Sequence, residues 1–508
     1  MDFPILSLIL FAPLAGAVLI LTVPREDVKT IRRVGTAFAL FTLILAIFIW
    51  AGVVRKGAGT MQYVERAQWI PAFNIWYSLG VDGLSAPLVF LTALLTTLSL
   101  FYSSYTIEKR VKEYYFLFLV LEASMFGVFL SLDMVLFYVF WEVELVPMFL
   151  LIGVWGGKNR KYAALKFFLY TMAGSVAMLL AIIGVYFQTG TFDILEAIAK
   201  QPFAGTVWAT AAFWAFFIAF AIKVPSFPFH TWLPDAHTEA PTSGSVILAG
   251  ILLKLGAYGL IRIVMPMFPE QFRHFVVDVP LIPIMAIMSI VYGAMVCMAQ
   301  WDLKRLIAYS SVAHMGYVTL GLAAAMAGLG TLGDKLNFNA AASAINGAAF
   351  QMFAHGIITG GLFFLVGVIY ERAHTRELKV FGGLSSQVPY YYGIMMVTGF
   401  ASLGLPGLAG FWSEFFVFRG TVNFIPVAAF IGVLGVVFTA AYILWKIVQY
   451  VFLGTLDKER WGHLPDMTWW EKVTMWPLVL TMVFLGLYPA PLLDTFNAAT
   501  TTLLNALK

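Results

Sequence analysis

Six titratable side chains stand in the middle of long apolar runs. They are Glu142 in "LFYVFWEVELVP", Lys223 in "AIKVPSFPFH", Lys254 in "ILLKLGAYG", His314 in "IAYSSVAHMGYV", His355 in "FQMFAHGIITGG" and Glu414 in "GFWSEFFVF". An ionisable group at bilayer depth costs at least about 2.5–3.5 kcal/mol and is kept where ions or protons pass. The chemistry that carboxylates, imidazoles and amines share is reversible proton binding. An amine's hold on its proton is set by its surroundings: burial disfavours the ammonium and a nearby carboxylate favours it. Glu142 is the expected partner of Lys223. Moving such a pair apart by a few ångström changes its coupling by about several kcal/mol at low effective dielectric. The six groups fall at similar depth, which fits a proton relay.

Each has a plainer alternative. Glu142 would only knit two helices; the lysines would extend along apolar stems to the interface, although both sit deep; the histidines would be packing residues; Glu414 would cap a helix or pair with Arg419. Glu122 and His230 are weaker relay candidates. Asp133 is expected in a short loop and Glu144 at an interface.

The elements that position these groups must be membrane helices. The 508 residues are 61% hydrophobic and 11% charged, with a mean hydropathy of +0.87, a composition foreign to soluble domains. At about 20 apolar residues per span, fourteen are expected: 3–24, 31–54, 83–106, 114–131, 133–155, 164–188, 207–230, 243–265, 280–300, 303–325, 341–370, 390–420, 426–453 and 473–494. The first lacks a basic n-region and is read as a retained helix, not a signal peptide. The connections near 55–82 and 454–472 are the longest, and both are expected as loops. Lys and Arg cluster in the loops after odd-numbered spans ("EKRVK", "KNRK", "DLKR"), which predicts those loops in the cytoplasm and both termini on the other side. The net charge of +4 is spread over loops and gives no support to nucleic-acid binding. Cys297 is the single cysteine, so no disulfide and no cysteine-held cluster forms within the chain.

Spans 7 and 12 are interrupted, by Pro225 and Pro228 and by "GLPGLAGF" (Gly404 to Phe411). Proline removes an amide and clashes with the preceding turn, and backbone groups freed at membrane depth line protein-buried or polar cavities. The breaks lie five spans apart. That spacing points to an all-α polytopic fold with two five-helix repeats, spans 4–8 and 9–13, of the inverted kind found in transporters. The chain divides accordingly into 1–112, 113–265, 280–453 and 454–508.

"FWEVELVPMFLLIGVWG", "KVPSFPFHTWLPDAHTEAPTSGSVILAGILLKLGAYGL" and "LKRLIAYSSVAHMGYV" closely resemble the antiporter-like membrane subunits of respiratory complex I, over nearly the whole chain. The resemblance implies the fourteen-helix fold with inverted repeats. It implies a proton path through Glu142, Lys223 and Lys254 that continues by His314 and Glu414. It implies no cofactor in this chain, with NADH, FMN, iron–sulfur clusters and quinone held by partner subunits. It also implies neighbours of the L and N types in the inner membrane of a prokaryote. Glu414, where the N type generally has lysine, and the end of the chain soon after span 14 point to the M-type branch. A subunit of a multisubunit cation/proton antiporter or membrane-bound hydrogenase is the nearest alternative. A structural spacer that does not pump is a second.

Overall fold

Twelve helices in the structure, a computed structural model describing residues 3–508, are long and apolar enough to cross a membrane. They are α1 (Ile5–Thr22), α2 (Val28–Lys56), α3 (Ala86–Thr106), α4 (Val111–Leu130), α5 (Met134–Trp155), α6 (Arg160–Thr189), α8 (Thr242–Met267), α9 (Leu281–Ala299), α10 (Leu303–Ala327), α11 (Lys335–Ala373), α13 (Pro426–Phe452) and α14 (Trp469–Leu487). Two further spans are split as expected: α7 into Trp208–Lys223 and Trp232–Glu239, and α12 into Pro389–Ser402 and Ala409–Phe424. Asp133 sits in a short connection, where it caps α5 by accepting from Val135 N and Leu136 N. Asp302 and Asp334 cap α10 and α11 in the same way.

Each break is satisfied from within the protein. In α7 the Ser226 amide bonds Ala221 O, leaving the Ile222 carbonyl to accept from the Trp232 indole at 2.9 Å. In α12, Gly404 (φ +78°) and Gly407 (φ +92°) adopt the left-handed conformation that glycine tolerates. α8 stays continuous but widens into π-helical turns at Leu248–Leu252 and Leu260–Val264, on either side of Lys254.

Burial orders the helices into layers. The apolar window of α11 is wholly buried, and those of α8 and α10 are 94% buried, against 28% for α2 and 39% for α6 and α13. Lys254, His314 and His355 thus ride on the three innermost helices. Glycines let these helices close: a Cβ on Gly316 of α10 would lie 3.0 Å from the Ile290 amide of α9. Outside the bundle, Arg372 of α11 grips Glu471 of α14 through two bonds of 2.6 and 2.7 Å.

Two expectations are corrected. The connection before α3 is no loop: Gln62–Ile70 (β1) and Ile75–Val81 (β2) form an antiparallel hairpin, whose Glu65 accepts from the Leu6 and Ser7 amides at the start of α1. The last predicted span stops at Leu487 rather than continuing to 494, because Pro489 and Pro491 cannot donate into a continued helix. A separate helix, α15 (Ala490–Ala506), follows and docks on α11 through Asn497 and Thr500, both bonded to Asn346.

Candidate functional site

Lys223 ends the first half of α7, and its side chain is 1% exposed. It pairs with Glu144 of α5, not with Glu142, and lies 5.1 Å from the Trp141 ring and 5.8 Å from the Phe167 ring. Among the described residues, neither the Lys223 amine nor the Glu144 carboxylate has a further hydrogen-bond partner. Glu142 is half-buried on the outer side of α5, near exposed Val143 and Val146. The expected pairing is therefore corrected. Residues two apart on a helix point about 200° away from each other, so only one of the two carboxylates can face α7. The buried face of α5 runs Phe137, Trp141, Glu144, Met148, Leu151. That 4-3-4-3 stripe carries Glu144 inward; Tyr138, Glu142, Leu145, Phe149 and Ile152 repeat the same spacing, so the sequence alone does not choose between the two carboxylates.

Lys254 begins a second file of titratable groups. Its Nζ donates to the Ala249 carbonyl in the first π-helical turn and lies 2.6 Å from His355 Nδ1. The His355 and His314 rings are 5.8 Å apart, and His314 Nδ1 is 3.6 Å from Glu414 Oε1. Polar side chains fix this file: Ser402 lies 3.1 Å from His314 Nε2, and Gln351 donates to the His314 carbonyl while accepting from Ser413. A cavity of about 10 Å³, roughly the space of one water, opens between His314, His355 and Glu414. The break in α12 shapes its far wall, since a Cβ on Gly404 would lie 2.7 Å from Glu414 Oε2.

A larger cavity of about 620 Å³ enters from the Lys- and Arg-rich face, lined by Glu239, Ser243, Asp302, Lys304, Glu371 and His374 among others. At its inner end Lys304 is buried and donates to the Ala240 carbonyl. His237 is wholly buried and stacks on Phe363 with ring centroids 4.5 Å apart. Neither of its ring nitrogens has a partner.

The site brings together Lys254, His355, His314 and Glu414, and separately Lys223 with Glu144. No hydrogen bond joins the two groups among the described residues; α7 and α8 instead meet directly, a Cβ on Gly256 lying 2.9 Å from Lys223 Cβ. Two weaker candidates stand apart. Glu122 of α4 accepts from Thr42 at 2.7 Å and forms no ion pair among the described residues. His230 sits within the α7 break among Phe227, Tyr292 and Tyr309. Sequence reasoning missed Glu144 as the Lys223 partner, together with His237, Lys304, Gln351 and Ser402. His237 and Lys304 do stand in the quoted motifs, but near span ends where depth gives no signal. No group of three His, Cys, Asp or Glu side chains among the described residues is arranged to hold a metal ion.

Two broken helices flanking a buried file of titratable groups define a transporter-like membrane fold. Residues 131–439 match the family described as NADH:quinone oxidoreductase/Mrp antiporter, TM, and the chain belongs to that family. It is 45% identical to NADH-quinone oxidoreductase subunit M of Rhodobacter capsulatus, over 96% of this chain and 94% of that one. Among solved structures it is similar to a chain of respiratory complex I from Thermus thermophilus with bound NADH, with a TM-score of 0.86, 29% identity, and coverage of 99% of this chain and 100% of that one. A chain of the Mrp complex from Dietzia shares the fold at a TM-score of 0.82 and 24% identity, covering 97% of this chain and 52% of its own.

Proposed function

We propose that this chain is an M-type, proton-translocating membrane-arm subunit of an NADH:quinone oxidoreductase. The observation that carries the proposal is the buried file Lys254–His355–His314–Glu414, closed at both ends by helix breaks or π-helical turns. In this reading a proton enters from the Lys-rich face past Lys304 and His237 to Lys254. Lys254 hands a proton to His355 Nδ1, and the unpartnered His355 Nε2 passes one on through the small cavity to His314. Glu414 accepts it and releases it beyond the α12 break. Lys223, held by a carboxylate of α5, sets when Lys254 holds its proton: two ammonium groups on touching helices repel, and the ion pair relieves that repulsion. Amines and imidazoles exchange protons and are poor ligands for sodium, which favours oxygen donors as other hard cations do.

Electron transfer from NADH to quinone, with its flavin and iron–sulfur centres, is assigned to partner subunits, and the L- and N-type subunits are the proposed neighbours in the bilayer. The Lys- and Arg-rich loops are placed in the cytoplasm of a prokaryotic cell and both termini on the far side of its inner membrane, although Met1 and Asp2 lie outside the described residues. Residues 113–265 and 280–453 are read as two inverted five-helix repeats; the equivalent positions of the two breaks support this. A cation/proton antiporter subunit is the second reading, favoured only by the shared fold with the Mrp chain. The test is Lys223→Ala in the assembled complex: pumping is lost while subunit content is retained. Normal pumping would remove Lys223 from the scheme, and loss of assembly before any loss of pumping would favour a spacer.

A further inference from the structure

The Lys223–Glu144 pair is supported by no other hydrogen bond, although a buried ion pair ordinarily offsets its desolvation only when further bonds satisfy it. Glu142, two residues before Glu144, also keeps an oxygen that is buried and unpartnered among the described residues. The helix between them is loose. Pro147 has no amide to give the Val143 carbonyl, and α5 divides at Glu144 into Met134–Val143 and Leu145–Trp155. The bonds flanking the division, Glu144 N to Phe140 O and Met148 N to Glu144 O, are both stretched to 3.3 Å. Proline and lengthened ladder bonds are recognised causes of helix bending.

We propose that Glu142 and Glu144 are alternative counter-ions of Lys223, exchanged by rotation of α5 about the Pro147 hinge. With Glu144 inward, Lys223 is neutralised from inside the chain. With Glu142 inward, the ammonium is drawn toward the outer edge of α5, where Val143 and Val146 are exposed. Glu144 is thus a positioning residue that holds the resting state, and Glu142 serves the other state. The proposal rests on the proton-relay reading given above.

The experiment measures protons pumped per NADH oxidised, with NADH oxidation by an artificial acceptor as the assembly control, in whole complexes carrying Glu144→Gln, Glu144→Asp, Glu142→Gln, Pro147→Ala or Lys223→Ala. The two-carboxylate exchange predicts that each Glu→Gln variant alone loses most coupled pumping, that Glu144→Asp recovers a large part of it, and that Pro147→Ala slows turnover with both carboxylates intact. Wild-type pumping in Glu144→Gln beside a silent Glu142→Gln would overturn it, leaving Glu142 as the sole counter-ion. Failure of Glu144→Asp to recover pumping lost in Glu144→Gln would equally overturn it, as would unchanged turnover in Pro147→Ala. Normal pumping in Lys223→Ala would instead sink the relay reading itself.

Discussion

Glu414 shows how much chemistry depends on one carboxylate's reach. It is buried, faces His314 at 3.6 Å and has the Gly404 backbone against its other oxygen. Glu414→Gln keeps the shape and removes the proton site, so coupled pumping should fall to a small residue of the wild-type rate. Glu414→Asp keeps the charge with a shorter arm and should keep a measurable part, read by the same proton-pulse measurement. At this scale burial was legible: Lys223, Lys254, His314, His355 and Glu414, placed in mid-span by counting residues into apolar runs, are all buried. The direction a side chain faces was not read from depth alone. Glu142 and Glu144 lie at nearly the same height, and only the buried stripe of α5 separates them.

The elements hold these groups by closeness and by pairing. Gly316→Val would push a branched side chain against the Ile290 amide of α9, and overpacking of this kind costs about 1–3 kcal/mol; the detergent-solubilised complex should melt lower. Arg372→Ala would leave Glu471, 1% exposed, without its cation, and breaking a buried pair this way costs about 3–5 kcal/mol. Thermal unfolding should show a larger drop for Arg372→Ala than for Gly316→Val, with α14 loosened from α11. Helices longer than about 18 apolar residues were legible because the bilayer sets their length, and the breaks were legible because proline and glycine mark them. The hairpin before α3 was not: its alternation is interrupted by register shifts between Gln62 and Glu65 and between Gln68 and Ile70, so no clean period of two survives. α15 escaped because it is rich in Thr and Asn and lacks a long apolar run. Contacts with Asn346 hold it in place, and single-sequence patterning does not report such contacts.

Across the whole molecule, charge and cavity agree on a direction. The large cavity opens among the loops richest in Lys and Arg, Lys158 and Arg376 included, which the positive-inside rule assigns to the cytoplasm. Cys297 is buried, so labelling is expected to report on single introduced cysteines. Lys158→Cys should be labelled by a membrane-impermeant maleimide only from the cytoplasmic side, and Gly333→Cys, between α10 and α11, only from the opposite side. The reverse pattern would turn the proposed path upside down.

The central claim is that amines, imidazoles and a carboxylate buried at mid-membrane pass protons in sequence, and Lys254, bonded to His355, heads their file. The most direct measurement is the number of protons translocated per NADH oxidised by reconstituted complexes carrying Lys254→Met. The account predicts a complex of normal subunit content, oxidising NADH normally with an artificial acceptor, whose proton yield falls below wild type. An unchanged proton yield would contradict it.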